Sequence, residues 1–415
     1  MNVYQIFLSL TLILNGLTDL IRVVNLGGIT ALGAMTILVA PCCWLLIFSR
    51  YKLPKIILLL SWLCAFLIIA FISWLWHYSQ LSPVMVVQNL FVYLAFIGFL
   101  VLSTVQSHRS REVPEYISQV LPKAIQISVG LYSLSLLIGG PGTGRIMGAR
   151  AFALFAIIGV TWYLAVWRYR LEGGLKWTTF TILTIAFSFS RTALLIALIL
   201  VPLSQISLTT FKGWLRMSMT IFLIITVSYS AFNYVEPIRS RFTQVGDNAT
   251  VGGVQINTSG RSEAWPITYS SAMESPLIGK GPGSVGVMLK KRVGSAFTHP
   301  HNDYLRLFHD FGLIGLVLWL LGYGQLMIKT WQNWQWSDKH DRENAHIHLA
   351  SFLALVGVAL AMITDNVIVY IFVMAPLGIM VGASLGIGSR RRKEMKVYCQ
   401  SLFVNEHNNK FAIKY

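Results

Sequence analysis

A short polar stretch in an otherwise apolar chain contains the side chains best suited to chemistry. Residues 297–304 read FTHPHNDY and come directly before an apolar run. Histidine can take up or release a proton near neutral pH, so His301 is a candidate general base. The alternative is a structural role, in which His301 and Asn302 form the polar end of a membrane helix. The neighbouring His299 is not assigned a role.

Two arginines from other parts of the chain could bind an anion at the same place. Arg191 follows the short turn FSFS between two apolar runs, and an arginine at the membrane boundary is costly unless it pairs or snorkels. Arg261, in SGRSEAW, precedes a predicted helix over residues 262–272. The guanidinium group binds phosphate oxygens bidentately, and a helix N-terminus favours anions. These features predict a pyrophosphate site, although a snorkelling Arg191 and a solvated Arg261 are the alternatives.

The composition requires a lipid environment for much of the chain. Of the 415 residues, 55% are hydrophobic and only 12% are charged, and the mean hydropathy is +0.63. So few charges cannot cover the surface of a soluble protein with this apolar content. The net charge of +17 lies in short clusters between apolar runs, which is typical of cytoplasmic loops, so nucleic acid is not expected as a partner. The four cysteines lack metal or redox spacing, and we expect them to be inert.

Apolar segments of the length that crosses a bilayer predict an all-α polytopic membrane protein with about twelve transmembrane helices. The predicted spans are residues 3–20, 27–48, 56–76, 82–104, 119–138, 151–167, 176–190, 192–206, 214–232, 311–329, 347–364 and 367–387. The first is interpreted as a span because it lacks the basic leader and cleavage site of a signal peptide. If both termini are cytoplasmic, all the basic clusters fall on the cytoplasmic face.

This topology predicts one large extramembrane segment on the outer face. Residues 1–232 would hold the first nine spans, 233–302 the long loop with short helices, 303–389 the last three spans, and 390–415 a basic cytoplasmic tail. The loop has seven Lys and Arg residues against four Asp and Glu residues, which suggests an anionic ligand. Its GKGPGSVG segment does not fit the nucleotide-binding P-loop pattern.

The motifs around these residues resemble those of the bacterial O-antigen ligase and O-antigen polymerase family. Residues 191–195 read RTALL and fit the family pattern R-x3-L. The pattern H-[NSQ]-x9-G-x2-[GTY] is satisfied from His301 to Gly312 and Gly315. The segment from Gly260 to Trp265 is similar to the family signature GR-x3-W. The resemblance covers residues 185–320 and the number of spans.

The resemblance implies a GT-C-like membrane glycosyltransferase with a periplasmic active site. Its donor would be a glycan on undecaprenyl pyrophosphate, and its reaction would be inverting and independent of metal and of any other cofactor. Arg191 and Arg261 would bind the pyrophosphate, with Arg145 and Arg150 as further phosphate contacts, and His301 would be the general base. Four polar residues are interpreted as supports for the base or the sugar, or else as ordinary interfacial residues: Asn302, Asp303, Tyr304 and Asp365, the last together with Asn366.

The acceptor is not specified by the sequence. Satisfaction of both ligase motifs favours transfer to a lipid A-core acceptor in the inner membrane, whereas a polymerase would use a second lipid-linked repeat unit. Transfer to protein is ranked third, because such enzymes usually carry a larger soluble extension. A twelve-span transporter or flippase is the alternative from another class. The chain shows no internal repeat, and its long loop follows the ninth span, which argues against a transporter.

Overall fold

The computed structural model describes the chain from residue 3 to residue 412 with several gaps. The described residues are 3–17, 25–26, 29–50, 55–205, 211–234, 236, 239, 248–251, 254–257, 260–294 and 298–412. Within them the chain is helical apart from two short antiparallel hairpins. Strand β1 (Asn25–Leu26) pairs with β2 (Ile29–Thr30), and β3 (Asn248–Val251) pairs with β4 (Val254–Asn257).

Nine helices precede the predicted outer loop in the described part of the chain. They are α1 (Val3–Gly16), α2 (Ala31–Arg50), α3 (Ser61–Trp76), α4 (Pro83–Arg109), α5 (Glu112–Gly139), α6 (Ala149–Arg168), α7 (Gly174–Phe187), α8 (Arg191–Ser204) and α9 (Phe211–Tyr234). Two short 3₁₀ helices flank α3, at Lys55–Leu60 and Tyr78–Gln80. After the hairpin β3–β4 come α10 (Arg261–Ala272), α11 (Ser284–Arg292), α12 (Asp303–His340), α13 (Ala345–Thr364) and α14 (Ile371–Ala412).

A helix coincides with each of the twelve predicted spans, but the helices differ in their capacity to cross a bilayer. Among the described residues, six are long and apolar enough to do so by length and composition: α4, α5, α6, α12, α13 and α14 as far as Tyr398. Shorter apolar helices cover Tyr4–Gly16, Ala34–Phe48, Ser61–Trp76 and Arg191–Ser204. The chain is therefore a polytopic membrane protein, and the number of twelve spans stays a prediction.

Helix α14 is buried within the helix bundle and packs closely along α4. Gly378, Gly382 and Gly386 recur every four residues on the contacting face. A Cβ atom on them would lie 2.8, 2.5 and 2.5 Å from carbonyl oxygens of α4. Small residues at this spacing allow two membrane helices to approach backbone to backbone, where dispersion replaces the hydrophobic effect as the driving force. This packing fixes the start of α14, which lies beside the site described below.

Helix α12 is broken by a turn that sequence analysis did not predict. The apolar span was expected over residues 311–329, whereas the helix begins at Asp303 and has a non-helical residue, Gly312, at φ +68°. The segment before α11 runs into this break. Leu313 donates its N–H to the carbonyl of Pro276 at 2.7 Å, and Gly281 donates to the carbonyl of Asp310 at 2.8 Å. The segment from Pro276 to Gly281 is thus hydrogen-bonded to residues 310–313 of α12.

Candidate active site

The candidate base and an arginine from α6 are in direct contact. Arg150 Nη2 lies 2.6 Å from Nδ1 of His301, and the same guanidinium pairs with the carboxylate of Asp365, its Nε lying 3.1 Å from Oδ1. Arginine has only donors, so Nδ1 of His301 must accept. The neutral imidazole therefore carries its proton on Nε2. Two residues that the sequence had assigned to different roles, Arg150 and Asp365, form one unit with His301.

Asn366 holds His301 in place through both of its amide atoms. Its Oδ1 accepts the backbone N–H of His301 at 3.0 Å, and its Nδ2 lies 3.1 Å from Nδ1 of the ring. His301 has a left-handed backbone conformation, with φ +53°, which non-glycine residues seldom adopt without support. The fully buried Asn366 provides that support. The sequence analysis named Asn366 only as a possible companion of Asp365, because its contact partner is 65 residues away.

Two of the other predicted phosphate-binding arginines, Arg191 and Arg261, lie near the end of α13. Arg261 donates from Nε and Nη2 to the carbonyl of Thr364 at 3.2 and 2.9 Å. Arg191 is the first residue of α8, and the hydroxyl of the next residue, Thr192, lies 3.1 Å from the hydroxyl of Thr364. The charge of Arg191 also acts on Arg261. Arg261 and the Arg150–His301 pair therefore contact residues 364–366, and Arg191 lies close by, next to Thr192 and near the charge of Arg261.

The electrostatics of this cluster keep His301 neutral. Burial and the adjacent Arg150 charge, with a further contribution from Arg261, lower the pKa of His301 to about 4, against an opposing effect of Asp365. Burial also lowers the pKa of Arg261, which the neighbouring Arg150 and Arg191 lower further while Asp365 opposes. Cations held together with a single carboxylate among them favour binding of a polyanion.

Three of the predicted supporting residues have structural contacts of their own. Asn302 is the N-cap of α12 and accepts the N–H of Leu305 at 3.0 Å. The buried carboxylate of Asp303 accepts the N–H groups of Val367 and Ile368 at 2.5 and 2.9 Å. Asp303 thereby ties the turn that carries Asp365 and Asn366 to the start of α12. These contacts give Asn302 the capping role that was the alternative for this position, and give Asp303 a positioning role.

The fourth supporting residue and the remaining arginine lie away from the ring of His301. Tyr304 donates its hydroxyl to the carbonyl of Ala359 at 2.9 Å and so joins α12 to α13. Arg145 is exposed, and its Cδ packs near Gly139 at the end of α5. Among the described residues, no contact brings the Arg145 side chain to His301, Arg191 or Arg261. The sequence analysis gave Arg145 and Arg150 the same role, but in the structure only Arg150 contacts His301.

Two cavities adjoin the segment from residue 299 to 304. The first has a volume of about 540 Å³ and is lined by polar residues that include Arg150, His301, His299, Arg306 and Lys290. The second has a volume of about 580 Å³ and is largely aromatic and aliphatic. Its lining includes Arg261, Trp265, Tyr269, Phe308 and Leu316. Both volumes fall within the range of small-molecule sites, and the two cavities differ sharply in polarity.

Arg306 and His299 line the polar cavity, although sequence analysis did not mention Arg306 and gave His299 no role. Arg306 is almost completely buried, and its Nη1 lies 3.0 Å from Nδ1 of His299 while Nη2 donates to the side chain of Asn89. Its Nε lies 3.6 Å from Asp310. An arginine five residues after the motif histidine, within the first turns of an apolar helix, was a signal available in the sequence. A charge at that depth usually has a function or a buried partner.

Gly312 and the segment GKGPGSVG have a common structural role. A Cβ atom on Gly312 would lie 2.2 Å from the carbonyl group of Leu277, so only glycine allows this close approach. Asp310, two residues earlier, accepts the N–H of Gly283 at 2.9 Å and that of Val285 at 3.1 Å. It thereby caps α11, whose residue Lys290 lines the polar cavity. The segment thus positions one wall of the polar cavity.

No cluster of three or more His, Cys, Asp or Glu side chains suited to a metal ion occurs among the residues that the structure describes. The predicted site residues near His301 are instead mostly arginines and amides.

The comparison with protein families identifies the class of protein. Residues 177–320 match the O-antigen ligase family, and the match includes Arg191, Arg261 and His301, although Arg145, Arg150 and Asp365 lie outside it. This match supports the predicted resemblance of the chain to the O-antigen ligase and polymerase family. The family supports a glycosyltransferase-like activity in polysaccharide assembly at a membrane. No curated protein matches the chain.

Proposed function

We propose that this protein is an O-antigen ligase that transfers a glycan from undecaprenyl pyrophosphate to a lipid A-core acceptor during lipopolysaccharide biosynthesis. The observation that carries the proposal is the convergence of Arg191, Arg261 and His301 on residues 364–366. These three residues lie within the region that matches the family, and they come from the start of α8, the start of α10 and the segment before α12. Family membership leaves the acceptor open between ligase and polymerase.

The donor pyrophosphate is assigned to the arginine cluster. Arg191 and Arg261 offer planar forks to the phosphate oxygens, and Arg150 completes the cluster from the side of His301. Arg261 also lines the apolar cavity, which has the chemistry to hold isoprene units next to the phosphates. Positive charge placed where the leaving group gains negative charge lowers the barrier to breaking the anomeric C–O bond.

The base function of His301 requires a change in its hydrogen bonds. In the structure Nδ1 is occupied by the donors Arg150 and Asn366. Binding of pyrophosphate would draw the Arg150 guanidinium towards the phosphate, and the acceptor hydroxyl would displace the Asn366 amide, which frees Nδ1 and raises the pKa of the ring. The acceptor oxygen then attacks the anomeric carbon as its proton passes to Nδ1. The bond from the sugar to the pyrophosphate breaks, and undecaprenyl pyrophosphate leaves with its electron pair, with inversion at the anomeric carbon.

The proposed site is compatible with one orientation of the protein in the membrane. We propose that residues 233–302 form a periplasmic loop and that both termini are cytoplasmic, in the inner membrane. Arg150, Arg191, His301 and Asp365 lie at helix ends that this topology assigns to the outer face. The chemistry above needs no metal or nucleotide sugar, because arginines supply the positive charge.

A reconstituted transfer assay tests the proposal. The purified protein is incubated with undecaprenyl-pyrophosphate-linked glycan and either a lipid A-core acceptor or additional lipid-linked repeat units, with and without EDTA. The proposal predicts glycan on lipid A-core and no effect of EDTA. Elongation of the lipid-linked repeats alone would identify a polymerase. Transfer that stops with EDTA and returns with Mg²⁺ would contradict the metal-independent mechanism.

A further inference from the structure

We propose that the polar cavity beside His301 is an acceptor subsite for a glycan that carries a negatively charged substituent, either a carboxylate or a phosphate ester. The inference rests on the proposed function for its assignment to the acceptor. The anion preference itself rests on the side chains that line the cavity. The residues that define the subsite are Arg306, His299 and Lys290, with His301 and Arg150 at the end where transfer occurs.

The two histidines of the cavity are both fixed as hydrogen-bond donors. Arg306 Nη1 lies 3.0 Å from Nδ1 of His299, and Arg150 Nη2 lies 2.6 Å from Nδ1 of His301. Since an arginine cannot accept, each ring accepts at Nδ1 and carries its proton on Nε2. The two Arg–His pairs therefore present N–H groups, and the polar lining offers more donors than acceptors. A ligand with oxygen acceptors and negative charge is complementary to such a surface.

The charges that line the cavity have one sign. Arg150, Arg306 and Lys290 contribute to its surface, and no Asp or Glu is among its described lining residues. The carboxylates that accompany the arginines, Asp365 and Asp310, are not part of that lining. A cleft lined by charges of one sign concentrates the electrostatic field in its interior. An anionic sugar substituent would be favoured over a hydroxyl at this end.

The position of the cavity assigns it to the acceptor. Arg261 lines the apolar cavity and is absent from the polar one, whose end is formed by His301 and Arg150. An inverting displacement needs the acceptor and the leaving group on opposite sides of the anomeric carbon. With the pyrophosphate at Arg191 and Arg261, the acceptor approaches from the side of His301. The volume of about 540 Å³ is suited to a short oligosaccharide.

Binding can be measured without any transfer reaction. The full-length protein in detergent, with no lipid-linked donor present, is titrated calorimetrically with two matched pairs of probes. The first pair is trigalacturonate and maltotriose, and the second is glucose 6-phosphate and glucose. We expect the charged member of at least one pair to bind about tenfold or more tightly than its neutral counterpart, with weaker binding in high salt. The pair that shows the difference distinguishes a carboxylate from a phosphate ligand.

Substitutions on α11 provide a matched control. Both Lys290 and the adjacent Lys291 are exposed, but only Lys290 lines the cavity. Lys290→Gln is expected to weaken binding of the charged probe by up to about fivefold, and Lys291→Gln to leave it unchanged. His299→Leu removes a hydrogen-bond donor from the cavity wall without removing a charge. This single variant is also expected to weaken binding of the charged probe. Thermal unfolding checks that it is folded.

The outcomes separate the subsite from the proposed function. Equal binding of charged and neutral probes, absence of binding by all four, or equal effects of the two lysine substitutions would overturn the anionic subsite. Those results would leave the transfer assay untouched. Conversely, selective binding of a charged probe by a protein that transfers no glycan would support the anion preference and contradict the proposed function.

Discussion

The guanidinium of Arg150 joins Asp365 to Nδ1 of His301, with Nη2 2.6 Å from the ring nitrogen. This one side chain therefore controls the tautomer of the candidate base and keeps it neutral. Its guanidinium could also give up its hydrogen bond to the imidazole and bind a phosphate oxygen of the donor instead. Binding of the donor pyrophosphate would then be coupled to loss of the hydrogen bond from Arg150 to Nδ1 of His301.

Removal of this arginine should raise the pKa of His301. Arg150→Gln deletes the neighbouring positive charge, which together with burial holds the pKa near 4, so the value should move towards about 6.5, the ordinary value for histidine. More of the ring is then protonated at pH 5.5 than in the unaltered protein. The measurement is an NMR titration of labelled histidine, with His301→Asn used to assign the signal. An unchanged or lower pKa would show that Arg150 does not control the ring.

Arginine geometry, as well as charge, should matter at position 191. Arg191→Lys keeps the charge but loses the planar fork, so transfer should fall about tenfold or more if phosphate is bound bidentately. Arg145→Lys is the matched control, because Arg145 is exposed and packs near Gly139. It should retain most of its activity. Initial transfer rates at saturating acceptor measure both, and equal rates for the two variants would argue against the assigned pyrophosphate site.

Gly312 should tolerate no side chain. Gly312→Ala requires a left-handed alanine with its Cβ 2.2 Å from the Leu277 carbonyl group, and we expect a loss of about 2–5 kcal/mol in the free energy of unfolding. Gly324 is the control on the same helix, since a Cβ there meets nothing within 4 Å. Gly324→Ala should be neutral or stabilising by up to about 1 kcal/mol. Thermal unfolding in detergent compares them, and equal melting temperatures would contradict the close contact at residue 312.

The proposed topology predicts opposite labelling of two exposed positions. In a variant with the four cysteines replaced, Ser262→Cys on α10 should react with an impermeant thiol reagent applied from the periplasm. Lys339→Cys at the end of α12 should react only after the membrane is opened. The readout is mass-tagging of the protein in spheroplasts. Protection of residue 262, or labelling of residue 339 in intact spheroplasts, would contradict the proposed membrane topology.

The helices were accessible to sequence analysis because apolar length alone predicts a membrane helix. Their exact ends were not. The start of α12 at Asp303 depends on the Asn302 cap, and the break at Gly312 depends on a contact with Leu277. Both features come from neighbours that a hydropathy pattern does not report. The glycine stripe on α14 was visible as a four-residue repeat but was not singled out.

Arg191, Arg261 and His301 were proposed together because motif spacing and the predicted topology pointed to the same face. The ranking of their companions was less successful, since it could use only proximity in the sequence. Arg145 and Arg150 are five residues apart, yet only Arg150 reaches His301, because α6 begins between them. The contact of Arg306 with Asn89 joins residues 217 positions apart. Such long-range hydrogen bonds leave no periodic pattern in a single sequence.

The central claim is that His301 accepts the proton of the attacking hydroxyl. His301→Asn is the sharpest variant, because asparagine tolerates the positive φ at this position but cannot act as a base. His340→Asn, an exposed histidine at the far end of α12, is the control. The measurement is the rate of glycan transfer from undecaprenyl pyrophosphate under donor-saturating conditions, with equal amounts of folded protein. The account predicts a loss of about 100-fold or more for His301→Asn and none for His340→Asn, whereas a His301→Asn protein with the unaltered rate would contradict it.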